Sequence, residues 1–143
     1  MARRSRQEIY PDTATFHFHN ANPKKRITAD CVLRAISTAL DEDYNTILLE
    51  MVQIQLETGY HFTSVQGIER YLASKGWVKQ KQPRKEDNTK YTGKEFCKHY
   101  INKKRRYLAN IGGHHIVAIV NGKVYDIWDS TDGCIGNYWV KGE

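Results

Sequence analysis

Three kinds of side chain in this sequence have types and spacing suited to joint chemistry: a cysteine at position 31, adjacent histidines at 114 and 115, and aspartates at 126 and 129. A thiol attacks only as its thiolate, so it needs a neighbouring base or a local positive potential. An imidazole that takes the thiol proton needs an acceptor on its second nitrogen to fix tautomer and orientation. Cysteine, histidine and aspartate offer those three roles in that chain order, and the chemistry they support is acyl transfer through a thioester.

The elements that must position these groups can be read from their surroundings. Cys31 opens a predicted helix: Asp30 is a good N-cap, with Thr28 a second candidate, and Val32, Ile36, Ala39 and Leu40 recur at helical spacing before Asp41-Glu42-Asp43. In a first helical turn, unpaired N–H groups and the helix dipole favour a thiolate. A free cysteine also serves as a small buried hydrophobe, so position alone does not make Cys31 a nucleophile. Cys31, Ala35 and Ala39 form a small-residue stripe against which a sheet can lie closely.

The histidines and aspartates fall on the stretch Gly112–Ser130, GGHHIVAIVNGKVYDIWDS, which reads as a β-hairpin turning at Asn121-Gly122. With a two-residue turn Val120 pairs with Lys123, His114 lies opposite Asp129, and Asp126 is the diagonal neighbour of His115 on one face. With a three-residue loop, His115 lies opposite Asp129. Turn preference favours the first register, and a bulge near the open end would reset it.

Upstream, residues 1–26 read as a basic N-terminal arm, with Phe16-His17-Phe18-His19 a possible short strand, and residues 27–143 as a single domain. Two further helices are expected. The first, about Tyr44 to Thr58, carries Ile47, Leu48, Met51, Val52 and Leu56 at helical spacing; the second, about Ser64 to Lys75, buries Val65, Ile68, Tyr71 and Leu72. Trp77-Val78 enters a strand, 79–90 is a charged loop, Thr92–Tyr100 a short helix with Phe96 inward, and Tyr107–Ile111 and Ile135–Val140 are strands. Helices first and antiparallel strands last describe an α+β fold, N-terminal helices packed on a C-terminal antiparallel β-sheet.

At 143 residues with 40% hydrophobic side chains, the chain can bury a core of its own. No apolar run approaches the roughly 18 residues of a membrane span, and no apolar segment follows the basic N-terminus, so neither membrane insertion nor secretion is expected. Three irregularly spaced cysteines make no disulfide framework and suit a cytoplasmic location. The net charge of +6 is uneven: residues 79–106 hold 11 Lys/Arg against 3 Asp/Glu, and residues 1–26 hold 6 against 2. A basic stretch of this kind suits nucleic acid or an acidic protein as partner, and Lys103-Lys104-Arg105-Arg106, near Tyr91 and Tyr100, is its densest part. A solvated loop has the same composition. Zinc on Cys97 and His99 with Cys134 or His61 lacks the usual ligand pairs, as does a His17/His19 clip, so no cofactor or metal is expected.

Cys31 opening a helix, His115-Ile116-Val117 opening a strand and a carboxylate at the end of the next strand resemble the papain-like cysteine peptidase superfamily. More closely, Asp30-Cys31-Val32-Leu33-Arg34-Ala35-Ile36, Lys90-Tyr91-Thr92-Gly93-Lys94-Glu95-Phe96, the hairpin from His115 to Asp129 and Tyr138-Trp139 resemble small papain-like proteins of bacteria and their phages. The helix start is also similar to the cysteine motif of ovarian-tumour-type deubiquitinases, with Thr28 where those enzymes carry an aspartate. The resemblance implies Cys31 as nucleophile, His115 as base and Asp129 as orienting acid, with Asp126 in reserve. It implies a thiol hydrolase acting on peptide or isopeptide bonds of a peptide or protein substrate. Lys25 stands where papain carries its oxyanion-hole glutamine, which leaves Asn20 or Asn22 as substitutes and leaves open a fold-retaining, inactive binding module that uses its basic face.

Overall fold

The computed structural model describes residues 3–143; the first two positions of the expected arm lie outside the described residues. A short helix α1 (Arg6–Ile9) and strand β1 (Phe16–Phe18) precede three longer helices, α2 (Cys31–Leu40), α3 (Tyr44–Thr58) and α4 (Val65–Ser74). Strand β2 (Trp77–Gln80) follows, then α5 (Gly93–Glu95), which continues as a π-helical turn over Phe96–Tyr100. Strands β3 (Tyr107–Ile111), β4 (His115–Val120), β5 (Lys123–Asp126) and β6 (Ile135–Lys141) complete an α+β fold. No helix among the described residues is long and apolar enough to cross a membrane.

The six strands form one sheet in the order β1-β5-β4-β3-β6-β2. All neighbours are antiparallel except β1 and β5, which pair in parallel, Phe16 with Val124 and Phe18 with Asp126. The expected wholly antiparallel sheet is therefore corrected to a mixed one, and the stretch read as an arm supplies an edge strand. Alternating residues identify a strand but not the direction of its neighbour, and a parallel partner must come from a distant part of the chain.

Alternation along β4 divides the interior in two. Ile116 and Ala118 join Leu33, Ala35, Ile36, Ile47, Tyr71 and Trp139 under the three long helices. Val117 and Ile119 face a second cluster with Phe96, Tyr107, Ile135 and Tyr138. Each large aliphatic side chain so enclosed contributes roughly 1.5–3 kcal/mol. The small stripe of α2 does bring it onto the sheet: Ala35 and Ala39 lie under 5% exposed in the first cluster with Ala118 of β4. Two expected core residues are not enclosed, since Leu56 and Val65 are 75% and 65% exposed. Leu56 sits in the last turn of α3 and Val65 is the first residue of α4, so each is at a helix end.

The β4–β5 turn has the two-residue geometry. Asn121 and Gly122 have φ of 54° and 74°, the left-handed pair that an Asn-Gly hairpin turn requires, and Val120 pairs with Lys123. The bulge near the open end lies between β3 and β6, at Ala109–Ile111, so the β4–β5 register stays undisturbed.

Candidate active site

Helix α2 delivers Cys31 in its first turn, beside the start of β4, where His115 stands half-buried. No hydrogen bond from the N–H of Cys31, Val32 or Leu33 forms among the described residues, so these first-turn donors have no protein acceptor. Burial alone would raise the Cys31 thiol. The His115 imidazole, the Ile116 N–H and the Arg34 charge outweigh it and bring the thiol below its ordinary value. Burial likewise disfavours a charged His115, but Asp126 and Cys31 beside it push its pKa up to about 9. The arrangement favours a thiolate–imidazolium pair.

The acid that holds the imidazole is Asp126. His115 Nε2 donates to Asp126 Oδ2 at 2.5 Å, and the carboxylate is 2% exposed. Asp126 closes strand β5, and the two-residue turn makes it the diagonal neighbour of His115. The expected Asp129 is placed otherwise: its Oδ1 accepts from Thr131 N at 2.9 Å and Thr131 Oγ1 at 2.5 Å, closing a turn of the loop into β6. The physical reason is where the ladder stops. Pairing ends at Asp126, and the chain leaves the sheet before it reaches 129. His114 is exposed and lies just before the strand.

Behind Asp126 lies a buried chain of charge that motif reading did not find. Arg34, one turn along α2 from Cys31, donates from Nη1 to Asp126 Oδ1 at 2.6 Å and from Nε to Asp30 Oδ1 at 2.8 Å. Ile127 N adds a bond to Asp126 Oδ1 at 2.7 Å. Asp30 occupies the N-cap position yet makes no side-chain cap bond. Its second oxygen accepts from Tyr44 Oη at 2.7 Å and Asn22 Nδ2 at 2.9 Å. Burial opposes ionisation of Asp30, and the donors around it, Tyr44, Asn22 and Arg34, hold its pKa below the usual carboxylate range. The available signal for this network was an arginine, the only charged residue on helix α2, four residues after an aspartate.

The asparagines considered for an oxyanion hole are engaged elsewhere. Asn22 directs its amide nitrogen to Asp30, and Asn20 donates to Arg26 O at 3.1 Å. The Trp128 ring packs 5.1 Å from the His115 ring. One cleft opens on this side, lined by His115, Trp128, Asp129 and Gly112. A second runs past Ile116 to Val65, Ile68 and Trp139.

The other candidate groups stay apart. Cys97 is buried in the second cluster, which pushes its thiol up to about 12, and Cys134 is exposed. His17 pairs with Asp12 at 2.7 Å and packs on Tyr125. Among the described residues no cluster of three His, Cys, Asp or Glu side chains could hold a metal ion. No family model matches this sequence, and no curated protein or solved structure matches it at a significant level, so a reading of function rests on this geometry.

Proposed function

We propose that the protein is a papain-like cysteine hydrolase that cleaves a peptide or isopeptide bond of a protein or peptide substrate through a thioester on Cys31. The observation that carries this reading is the relay itself: a thiol at a helix N-terminus, lowered by an imidazole whose far nitrogen is bonded to a buried carboxylate. In it, the Cys31 thiolate attacks the substrate carbonyl carbon. His115, holding the proton taken from the thiol, passes it to the leaving amine; water then attacks the thioester, giving its proton back to His115 as the thiolate departs. Asp126 keeps the imidazole oriented and balances its charge. The Cys31 backbone N–H, unbonded in the first turn of α2, is the donor this reading assigns to the oxyanion.

Clefts beside His115 and beside Ile116 give a substrate chain room near the relay. The engaged amides of Asn20 and Asn22 favour a second reading, in which the fold serves binding alone. Iodoacetamide labelling at about pH 6, read by peptide mass spectrometry, separates the two. The hydrolase reading expects Cys31 to label far faster than Cys97 and Cys134, and a panel of fluorogenic peptide and isopeptide substrates to be turned over by the native chain but not by Cys31→Ala. Equal, slow labelling of all three thiols would overturn it.

A further inference from the structure

The basic stretch 79–106 does not form one face. Lys79 pairs with Glu69, Lys85 with Glu95 and Lys94 with Asp132, so three of the seven basic side chains between 79 and 98 are neutralised where they lie. Its second half gathers at one end of the sheet, the end marked by Tyr107, Val120, Lys123, Trp77 and Lys141. Helix α2 runs from Cys31 toward this end, so the two regions are separated by about 15 Å of helix. Residues far apart in sequence meet here: Lys104, Arg105 and Arg106 precede β3, Lys75 precedes β2, and Lys141 ends β6, around an open cleft of about 350 Å³.

Two features make this a built surface. Among the described residues, none of Lys103, Lys104, Arg105, Arg106, Lys123 or Lys141 has a carboxylate within ion-pair distance. Both guanidinium groups are also held in place by backbone carbonyls. Arg106 Nη1 donates to Thr38 O at 2.7 Å and Arg105 Nη2 to Lys141 O at 3.0 Å, leaving the other N–H groups of each planar fork without a side-chain hydrogen bond among the described residues. A fixed fork loses less entropy on meeting an anion. Asp41 and Glu42 also line the cleft, and Glu42 is bonded to Lys75 at 3.1 Å.

We propose that this basic end binds the phosphodiester backbone of a nucleic acid duplex through Lys104, Arg105, Arg106 and Lys141, without reading bases. The lack of an exposed apolar anchor distinguishes it from a site for an acidic protein. Protein interfaces take their energy from aromatic and aliphatic anchors, yet of the large apolar side chains lining the cleft Trp77 is 6% exposed and Leu40 is half-buried against the core. Base stacking is disfavoured because the nearby rings are already engaged. Tyr100, though 42% exposed, is packed on Phe96 and Tyr91 and bonded to Tyr138 Oη at 3.0 Å.

The test is fluorescence anisotropy of the native chain with a short labelled DNA duplex across a salt series, with polyglutamate as competitor. Four phosphate contacts predict log K falling with log salt at a slope of about −3 to −4. Lys104→Ala with Lys141→Ala reduces that slope by about two units, the charge reversals Lys104→Glu with Lys141→Glu abolish binding, and Lys81→Ala, Cys31→Ala and His115→Ala leave it unchanged. Lys104 and Lys141 are exposed and their side chains make no hydrogen bond, so circular dichroism should show an intact fold. Three results would each overturn the proposal: no binding at low salt, a slope indifferent to Lys104 and Lys141, or polyglutamate bound as tightly as the duplex.

Discussion

The two ends of helix α2 use charged side chains in opposite ways. At its first turn Arg34, Asp30, Asp126 and His115 are enclosed and satisfy one another, with Arg34 and Asp30 each 7% exposed and Asp126 2%. Near its last turn Lys104, Arg105, Arg106 and Lys141 are exposed and have no carboxylate within ion-pair distance, although Asp41 and Glu42 line the same cleft. Charge taken out of water fixes geometry, because removing one partner strands another. Charge left in water fixes little, and instead sets a salt-dependent attraction for whatever approaches. On the proposed readings the first end holds a proton relay and the second attracts a polyanion.

The largest effect that tests this contrast is expected from His115→Ala. Without the imidazole, burial again dominates the Cys31 thiol and raises it, so alkylation at about pH 6 and any turnover should fall by about 10²–10⁴-fold. Stopped-flow labelling and substrate assays measure it. An unchanged rate would mean that the buried end performs no proton transfer.

Next comes the choice of acid. Asp126→Ala strands Arg34 and His115 in the interior and is expected to cost about 3–5 kcal/mol in urea unfolding, with Cys31 reactivity falling in parallel. Asp129→Ala removes only turn bonds to Thr131, expected to cost about 1 kcal/mol with the labelling rate retained. The reverse ranking would return the orienting role to Asp129.

That pair also shows what the sequence reveals and where it misleads. The Asn121-Gly122 turn was legible because those residue types tolerate left-handed backbone, and the register it sets makes Asp126 the diagonal neighbour of His115. Resemblance pointed instead to Asp129, whose place depends on how far the ladder extends, and no local pattern encodes that. The helix beginning at Cys31 was legible from its apolar spacing. The use of Asp30 was not: an aspartate before a helix predicts a cap, whereas burial beside Arg34 and Tyr44 turned its side chain inward. Likewise β1 was readable as an alternating Phe16-His17-Phe18, but its parallel pairing with β5 is a tertiary choice.

A smaller effect is expected with pH. His115 is raised from the ordinary imidazole range to about 9, so its contribution to stability is complete below about pH 6.5 and is lost as pH rises through about 9. Cys31 is lowered, so its thiolate persists below the ordinary thiol range and is lost as pH falls through that depressed value. Alkylation of Cys31 should therefore remain fast well below pH 9, and stability should drop above it. Urea midpoints for the native chain and His115→Ala, compared on both sides of pH 9, isolate the histidine. A parallel alkaline loss in both would assign the drop to other groups.

The smallest predicted effect lies at the far end of the buried chain, where the contrast between enclosed and exposed charge is graded. Tyr44 is half-buried, and its hydroxyl reaches Asp30 Oδ2, which keeps the bond from Asn22 when the hydroxyl is gone. Tyr44→Phe should therefore cost only about 1 kcal/mol. Its influence on the thiol must pass through Asp30, Arg34 and Asp126, each held by at least one bond that the substitution leaves intact. Cys31 labelling should consequently stay within about twofold of native, since a bond worth about 1 kcal/mol is spread over three rigid links. If labelling instead falls as it does in Asp126→Ala, the buried end acts as one cooperative unit, and Tyr44 belongs to the positioning machinery of His115 rather than to the helix packing behind it.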